Sequence, residues 1–425
     1  MKPTLILILA TTCAASACSR DAAPSQPTTA VQVSPPLAAR AWTLPISAAA
    51  AQPDLVVAPD GRLLLSWVAP QEYGHALLFA AFEDGHWSTP QTIARGDDWF
   101  VNWADTPHLA ATEDGALWAH WLQKSASATY AYDVAMTRSS DGGKTWATPM
   151  LVNSDGKPAE HGFVSLWPAS RDTLGVAWLD GREAAGGGDA HDGHGGHDAH
   201  GGAMTLRAAT FDAQLQRHDE ARLDAMTCDC CQTDAALTTR GPLLVYRDRT
   251  PDEIRDIAVT RFDGAAWTSP HLVHDDQWKM PACPVNGPAV AAEASNTVVG
   301  WYTVARGQPT LRLARSADAG DTFAEPLMLD QGAHVQGRVD VALDSDEAWV
   351  LWTREDAGVQ SLQFARFASD LSREWQRGEV AKLQGRGRAT GVAQLALGND
   401  GAYVVWTDVV EGKPRLAGAR FGAAP

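Results

Sequence analysis

The sequence predicts an all-β protein, a β-propeller with seven four-stranded blades. Three observations lead to this prediction. A short apolar strand that ends in an aromatic residue recurs along the chain, each copy comes with the same order of strands and turns, and the composition suits sheets and turns. The 425 residues include 17 Trp, 37 Gly and 24 Pro, which favour short strands joined by turns over helices.

The recurring strand is recognised by its final aromatic residue. These residues are Trp67, Trp121, Trp178, Tyr246, Trp301, Trp352 and Trp406. Successive intervals are 54, 57, 68, 55, 51 and 54 residues, and the longest contains the insertion GGGDAHDGHGGHDAHGG. Four short strands per interval match one propeller blade, which covers its faces only by stacking against neighbouring blades. A six-bladed ring is the alternative, if one of the seven units is an elaboration and not a separate blade.

The last unit ends after its third strand, RLAGARF. We expect residues 39–46, ARAWTLPI, to supply the fourth strand of this unit, because a closed ring leaves no exposed strand edge. The propeller is therefore predicted to span residues 40–425.

The first residues predict export. Residues 1–17 read as a signal peptide, since the apolar run from Leu5 to Ala10 is too short to span a bilayer. Ala15-Ser16-Ala17-Cys18 resembles a bacterial lipoprotein cleavage box, which implies a lipid anchor on Cys18 and a membrane as partner. Ser19 favours the outer membrane, facing the periplasm or the cell surface. Residues 18–39 are typical of a flexible tether, and an ordinary secreted protein is the alternative.

The charge balance excludes one class of partner. The formal net charge is −17, from 34 Lys and Arg against 51 Asp and Glu. Proteins that bind a phosphate backbone carry clustered Lys and Arg instead. We therefore expect no nucleic acid as a partner.

Two units carry a sharper motif between their third and fourth strands. Residues 139–146 fit S-x-D-x-G-x-T-W, and residues 316–323 fit the same pattern with Phe in the last position. These motifs resemble the Asp boxes, or BNR repeats, of sialidases. The resemblance implies a sialidase-like propeller in which Asp141 and Asp318 cap the amides of tight turns. It also implies, as one function, an exo-sialidase-type glycoside hydrolase that acts on acidic sugars.

The catalytic motifs of that family are not recognisable here. No Arg-Ile-Pro motif occurs, and Tyr246 takes the place of a packed blade aromatic. Arginines on predicted loops would suit bidentate binding of a sugar carboxylate, although an Arg/Asp ladder also fixes a loop by mutual ion pairs. The ligand-binding candidates are Arg247, Asp248, Arg249, Arg255, Arg338, Arg386 and Arg388. Catalytic residues stay unassigned.

Four unusual segments are predicted to share one face. In a propeller, the loops from strand four to the next strand one and from strand two to strand three open on the same side, which we call the axial face. CDCCQTD (228–234), YRDRTPDEIRD (246–256), MPACPVNGP (280–288) and the histidine-rich insertion all fall on such loops. Asp105, His108, Glu160 and other polar residues of these loops are expected to line a wet funnel.

The cysteines of this face allow two interpretations. One is the disulfide pair Cys228–Cys231 and Cys230–Cys283, which avoids strained short rings and suits an oxidising compartment. The other is a thiolate site for a soft metal, copper first and zinc second. The metal-ligand candidates are Cys228, Cys230, Cys231, Cys283, Met226, Met280, His191, His194, His197 and His200. The sequence leaves this choice open.

These observations give three functional hypotheses. The leading one is an envelope lipoprotein whose propeller binds a small molecule, a metal or a glycan on the axial face, with copper handling as the first possibility. The first alternative is the sialidase-type glycoside hydrolase. The second is a scaffold for protein partners, a common use of propellers.

Overall fold

The computed structural model describes residues 36–184 and 202–422. These residues form seven antiparallel sheets, six of four strands and one that has a short extra strand. The innermost strand of each sheet contacts the innermost strands of both neighbours, and the last sheet contacts the first. The seven-bladed propeller is therefore confirmed. The predicted signal peptide, most of the predicted tether and nearly all of the histidine-rich insertion lie outside the described residues.

The first four blades follow one another along the chain, after the short strand β1 (Arg40–Ala41). Blade 1 contains β2 (Ala51–Val57), β3 (Leu63–Pro70), β4 (His75–Glu83), β5 (His86–Trp87) and β6 (Gln91–Gly96). Blade 2 contains β7 (Leu109–Ala111), β8 (Leu117–Lys124), β9 (Tyr132–Ser139) and β10 (Met150–Leu151). Blade 3 contains β11 (His161–Pro168), β12 (Leu174–Asp180), β13 (Thr205–Phe211) and β14 (Arg217–Asp224). Blade 4 contains β15 (Asp234–Thr238), β16 (Gly241–Arg247), β17 (Ile257–Arg261) and β18 (His271–Leu272).

The remaining three blades complete the ring. Blade 5 contains β19 (Ala289–Glu293), β20 (Asn296–Thr303), β21 (Thr310–Ser316) and β22 (Leu327–Gln331). Blade 6 contains β23 (Val335–Leu343), β24 (Glu347–Asp356), β25 (Val359–Ala368) and β26 (Glu374–Lys382). Blade 7 contains β27 (Gln394–Gly398), β28 (Gly401–Val410) and β29 (Lys413–Phe421). Two short 3₁₀ helices, η1 (Ala305–Gly307) and η2 (Gly387–Thr390), lie in the loops between strands. Within the described ranges, no helix is both long and apolar enough to span a bilayer.

The segment before the first blade closes the ring, as the sequence predicts. Strand β1 pairs antiparallel with β29, with Arg40 opposite Arg420, and the Trp42 amide donates to the Gly418 carbonyl at 2.9 Å. The Trp42 ring packs 4.6 Å from Tyr403 of blade 7. This pairing supplies the fourth strand of blade 7 and protects the outer edge of β29.

The repeated aromatic residues form the contacts between blades. All seven are buried, at 0 to 7% exposure, and apolar side chains of adjoining blades surround them. Tyr246 is fully buried like the tryptophans, and its hydroxyl donates to Asp224 at 2.5 Å. It is therefore a packed blade aromatic, as expected.

Aspartates near the axis tie adjacent blades together. In each case a carboxylate oxygen of one blade, or of the loop before it, accepts a backbone N–H from the innermost strand of the next blade. The pairs are Asp54 with Leu109 at 2.7 Å, Asp105 with Phe163 at 2.8 Å, Asp234 with Val290 at 2.7 Å and Asp340 with Leu395 at 2.7 Å. These bonds fix the starts of the innermost strands and hence the axial-face loops that precede them.

The two motif-bearing turns fold alike on the opposite face. Asp141 accepts the backbone N–H of Thr145 at 2.9 Å and its hydroxyl at 2.7 Å. Asp318 makes the same two bonds with Thr322, at 2.9 and 2.6 Å. These hydrogen bonds lower the pKa of each aspartate to about 2. The turns join the third and fourth strands of blades 2 and 5, away from the axial face.

Candidate functional site

The four unusual segments occupy the loops where the sequence places them. The cysteine-rich segment connects β14 to β15, and the segment with Cys283 connects β18 to β19. Residues 248–256 join β16 to β17, and the insertion joins β12 to β13. His191, His194, His197 and His200 lie outside the described residues.

The structure pairs all four cysteines of this face. Cys228 is bonded to Cys231, and Cys230 is bonded to Cys283. This is the disulfide alternative of the sequence analysis, and it joins the loops that precede blades 4 and 5. Bonded sulfurs are not thiolates, so in this state the cluster lacks the ligands that a soft metal prefers. Met226 and Met280 lie on the same two loops.

Arg247 does not present its guanidinium to a ligand. The side chain is 1% exposed. It donates to the carbonyl oxygens of Arg255 at 2.7 Å, Asn286 at 2.8 Å and Tyr302 at 2.7 Å. Its guanidinium lies 4.8 Å from the Trp278 ring centroid, and burial lowers its pKa to about 9. Backbone oxygens thus take up the donors that the predicted ligand-binding role would use.

The rest of this loop is held by ion pairs. Arg255 is also buried, and it donates to Glu253 at 2.9 Å and to the Cys228 sulfur at 3.4 Å. Arg249 pairs with Glu253 at 2.6 Å and with Asp229 at 3.3 Å. Burial raises the pKa of Asp248 to about 6. Mutual ion pairing, the alternative given from the sequence, describes Arg249 and Arg255 in this structure.

The other three arginine candidates lie on β23 of blade 6 and on the loop before blade 7. The Arg338 amide donates to the Asn286 side chain, and the Asn286 carbonyl accepts from Arg247. Arg338 donates to the Thr390 hydroxyl at 2.8 Å and to the Gly391 carbonyl at 2.9 Å. Arg386 is 67% exposed, 3.9 Å from Glu355, and Arg388 is exposed. The guanidinium groups of Arg247 and Arg338 are thus both bonded to protein oxygens, and the two exposed arginines belong to the loop before blade 7.

A different group of side chains meets between blades 2 and 3. The hydroxyl of Tyr132, the first residue of β9, contacts Glu160 Oε1 at 2.8 Å and Asp105 Oδ2 at 3.3 Å. We call these three residues the acidic cluster. Since both carboxylate oxygens contact the same phenolic oxygen, they lie within about 6 Å of each other. Tyr132 is fully buried and Asp105 is 2% exposed, whereas Glu160 is partly exposed.

Backbone bonds hold Glu160 rigidly in this position. The Gly181 amide donates to its carbonyl at 2.8 Å, and the Tyr132 amide donates to the carbonyl of the preceding Ala159 at 3.0 Å. The next residue, His161, is buried and places Nδ1 3.0 Å from the Tyr132 carbonyl oxygen. The Glu160 side chain therefore projects from a supported backbone, as a functional group requires.

The surroundings of the acidic cluster favour its protonated forms. Burial raises the pKa of Glu160 to about 8, and the charges of Asp105 and Asp229 add to this effect. Burial also raises the pKa of Asp105 to about 7, and it raises the pKa of Tyr132 well above its ordinary value. Glu160 is consequently a carboxylic acid, not a carboxylate, in most molecules at neutral pH.

This arrangement suits general acid–base chemistry. A partly exposed acid whose pKa lies near neutrality donates and recovers a proton within one catalytic cycle. Asp105 has a second task, because its other oxygen accepts the Phe163 N–H that ties blade 2 to blade 3. We therefore regard Glu160 as the reactive group, and Tyr132 and Asp105 as the residues that position it and set its pKa.

A second polar group nearby is already neutralised. Asp155, His161 and Asp180 approach one another closely enough to hold a metal ion. Arg182, however, lies between them, with its guanidinium 3.0 Å from Asp155 and 2.6 Å from Asp180. The cation that these carboxylates require is thus a side chain of the protein.

The comparisons with known proteins support the fold. No protein-family model and no curated protein matches the sequence. Among solved structures, polysaccharide lyase Uly1 matches with a TM-score of 0.50 and 8% identity, over 93% of this chain and 94% of that chain. The phage phi92 endosialidase matches with a TM-score of 0.50 and 11% identity, over 92% of this chain and 70% of that chain. A Trypanosoma rangeli sialidase matches with a TM-score of 0.45 and 12% identity, over 74% of this chain and 53% of that chain. Such identities show a shared propeller fold and not a shared activity.

Proposed function

We propose that this protein cleaves glycosidic bonds, with Glu160 as the general acid. The observation that carries the proposal is the acidic cluster, which holds a partly exposed carboxylic acid with a pKa of about 8 on the axial face. A departing sugar oxygen needs a proton, and an acid that stays protonated at neutral pH can supply it. The shared fold with a polysaccharide lyase and an endosialidase agrees with a glycan as substrate.

The proposed step is hydrolysis. Glu160 gives its proton to the glycosidic oxygen while the bond from that oxygen to the anomeric carbon breaks. The bonding electrons go to that oxygen and leave an oxocarbenium ion. The Glu160 carboxylate then takes a proton from the water molecule whose oxygen adds to this ion, so Glu160 returns to its starting state. The Tyr132 hydroxyl, 2.8 Å from Glu160, stabilises the carboxylate between the two halves of the cycle.

The test is a comparison of Glu160→Gln with wild type on a panel of neutral and acidic polysaccharides. We expect new reducing ends with wild type and a loss of about 10²- to 10⁴-fold in Glu160→Gln. Glu325→Gln is the matched control, since Glu325 is exposed and lies next to the motif-bearing turn of blade 5. Wild-type activity in Glu160→Gln, or no cleavage of any polysaccharide, would contradict the proposal. Release of unsaturated sugars, detected by ultraviolet absorbance, would assign elimination instead of hydrolysis.

We also infer that the protein works outside the cytoplasm. The two disulfides support this location, because such bonds persist in oxidising compartments, and the predicted signal peptide and lipid anchor on Cys18 agree with it. Mass spectrometry of the mature N-terminus from its own cell distinguishes a lipidated Cys18 from an unmodified one.

A further inference from the structure

The two disulfides of the axial face are in contact with each other. Cys228 Sγ lies 3.9 Å from Cys230 Sγ, although each of these sulfurs is bonded to a different partner. The sulfurs of Cys228, Cys230 and Cys231 all lie within 4.8 Å of one another. A disulfide is broken when a thiolate attacks one of its sulfurs. A thiolate at Cys230 would therefore have the other disulfide as its immediate neighbour.

The two bonds differ in their exposure to solvent. Cys228 and Cys231 are 0 and 1% exposed, so the bond between them is shielded from molecules in solution. Cys230 is partly exposed, and Cys283 is exposed. Access to the sulfur is one of the factors that set the rate of thiol–disulfide exchange. A thiol from outside therefore meets Cys283 first, and it reaches the buried bond by way of Cys230.

The stapling of loops explains one of these bonds better than the other. Cys230 and Cys283 are 53 residues apart, and their bond joins the loops before blades 4 and 5. Cys228 and Cys231 are only 3 residues apart, so their bond removes little freedom from the unfolded chain. A C-x-x-C spacing is instead typical of cysteines that take part in redox exchange. This contrast favours a chemical role for the buried bond.

A buried cation lies beside the buried bond. Arg255 is 1% exposed, and its guanidinium nitrogen lies 3.4 Å from Cys228 Sγ. An adjacent arginine favours the thiolate form of a cysteine, and a sulfur that is more stable as a thiolate leaves a disulfide faster. Cys228 is therefore the sulfur of this site that is best placed to act as a leaving group.

We propose that the four cysteines form one thiol–disulfide exchange site, which passes electrons from an outside dithiol to the buried bond. One sulfur of the dithiol attacks Cys283, and Cys230 leaves as a thiolate. The other sulfur of the dithiol attacks the first one, so the dithiol departs as a disulfide and Cys283 becomes a thiol. The Cys230 thiolate then attacks Cys228, and Cys231 leaves as a thiolate that takes a proton from water.

A second dithiol completes the reduction. The new bond between Cys228 and Cys230 closes a short ring, and Cys230 is its partly exposed end. One sulfur of the second dithiol attacks Cys230, and Cys228 leaves as a thiolate beside Arg255. The other sulfur of that dithiol then displaces Cys230. Two dithiols have become two disulfides and the protein holds four thiols, so the electrons balance. Without a dithiol the sulfurs stay paired, as in this structure.

The test compares two variants that lose the same bond between the loops. Cys283→Ser keeps a free thiol at Cys230, beside Cys228, whereas Cys230→Ser keeps a free thiol at Cys283. Dithiothreitol is added to the folded full chain, samples are quenched by alkylation, and tandem mass spectrometry follows the appearance of the Cys228 thiol. We expect this thiol to appear at least about 10-fold faster in Cys283→Ser than in Cys230→Ser. A smaller difference would overturn the inference, because the dithiol would then reach the buried bond without Cys230.

The entry point and the order of events are tested separately. In wild type the Cys283 thiol should appear before the Cys228 thiol, and appearance of the Cys228 thiol first or at the same time would contradict the proposed order. Oxidised glutathione should form a mixed disulfide with Cys283 in folded Cys230→Ser, because this sulfur meets solvent. Absence of that adduct would remove the entry point and with it the inference. Neither measurement involves a polysaccharide, so their results do not depend on the proposed function.

Discussion

The axial face contains two contrasting regions. In the cysteine-rich region of blades 4 and 5, the sulfurs are paired and the buried Arg247 donates to backbone carbonyls. In the acidic cluster of blades 2 and 3, the donor to Glu160 is a neutral hydroxyl, and the acid keeps a raised pKa. The first region is conspicuous in sequence and chemically satisfied. The second is inconspicuous in sequence and holds a group that can still exchange a proton, so we place the proposed activity there.

The largest effect should be the pH dependence that Glu160 imposes on stability. Its pKa is about 8 in the fold and 4.5 as an ordinary glutamate, so the unfolded chain releases this proton first as the pH rises. The stabilisation is complete below about pH 4.5 and is lost as the pH rises through 8. Glu160→Gln removes this dependence and should gain stability relative to wild type by up to about 1.4 kcal/mol per pH unit.

Urea denaturation of both proteins between pH 5 and 8 measures this difference. Glu325→Gln serves again as the control. Its free energy of unfolding should differ from that of wild type by the same amount at every pH. If the free energy of unfolding of Glu160→Gln also differs from that of wild type by the same amount at every pH, Glu160 ionises normally. The contrast between the two regions would then disappear.

The next effect concerns the disulfide between the loops of blades 4 and 5. Cys230 and Cys283 are 53 residues apart, so their bond restricts a long segment of the unfolded chain. The double variant Cys230→Ser/Cys283→Ser should lower the free energy of unfolding by about 2–4 kcal/mol. The double variant Cys228→Ser/Cys231→Ser should lower the free energy of unfolding by less, because these two cysteines are only 3 residues apart. Denaturation at one pH compares the three proteins.

The same cysteines decide the copper hypothesis. We expect alkylation of the protein isolated from its own cell to find free thiols only after reduction, and copper(I) uptake to require that reduction as well. Free thiols in the protein as isolated, together with copper in stoichiometric amount, would make the cysteine-rich region the functional one.

The fold could be predicted because the same sequence pattern recurs in every blade. The aromatic residues from Trp67 to Trp406 mark every blade, and the incomplete last unit points to residues 39–46 as the closing strand. Ring closure, blade number and the loops of the axial face all follow from these local patterns, and the structure agrees with them.

The acidic cluster could not be predicted in the same way. Asp105, Tyr132 and Glu160 are single residues in ordinary loops and strand starts of two units, and only the packing of blade 2 against blade 3 brings them together. The raised pKa of Glu160 comes from burial, which depends on the whole ring. Arg247 shows the converse, since its residue type suits a ligand but its direction, into backbone carbonyls, is set by packing.

The smallest effect is expected from the arginines that remain open to solvent. Arg386 is 67% exposed and lies 3.9 Å from the Glu355 carboxylate, and Arg388, two residues later, is also exposed. The variant Arg386→Ala/Arg388→Ala should change the free energy of unfolding by less than about 0.5 kcal/mol, because exposed ion pairs are weak. Its cleavage of a neutral polysaccharide should stay within about 2-fold of wild type, because a substrate without carboxylates gives these guanidinium groups nothing to bind. A selective loss of cleavage on acidic polysaccharides would instead show that blades 6 and 7 hold a carboxylate, and the axial face would then have a third functional region.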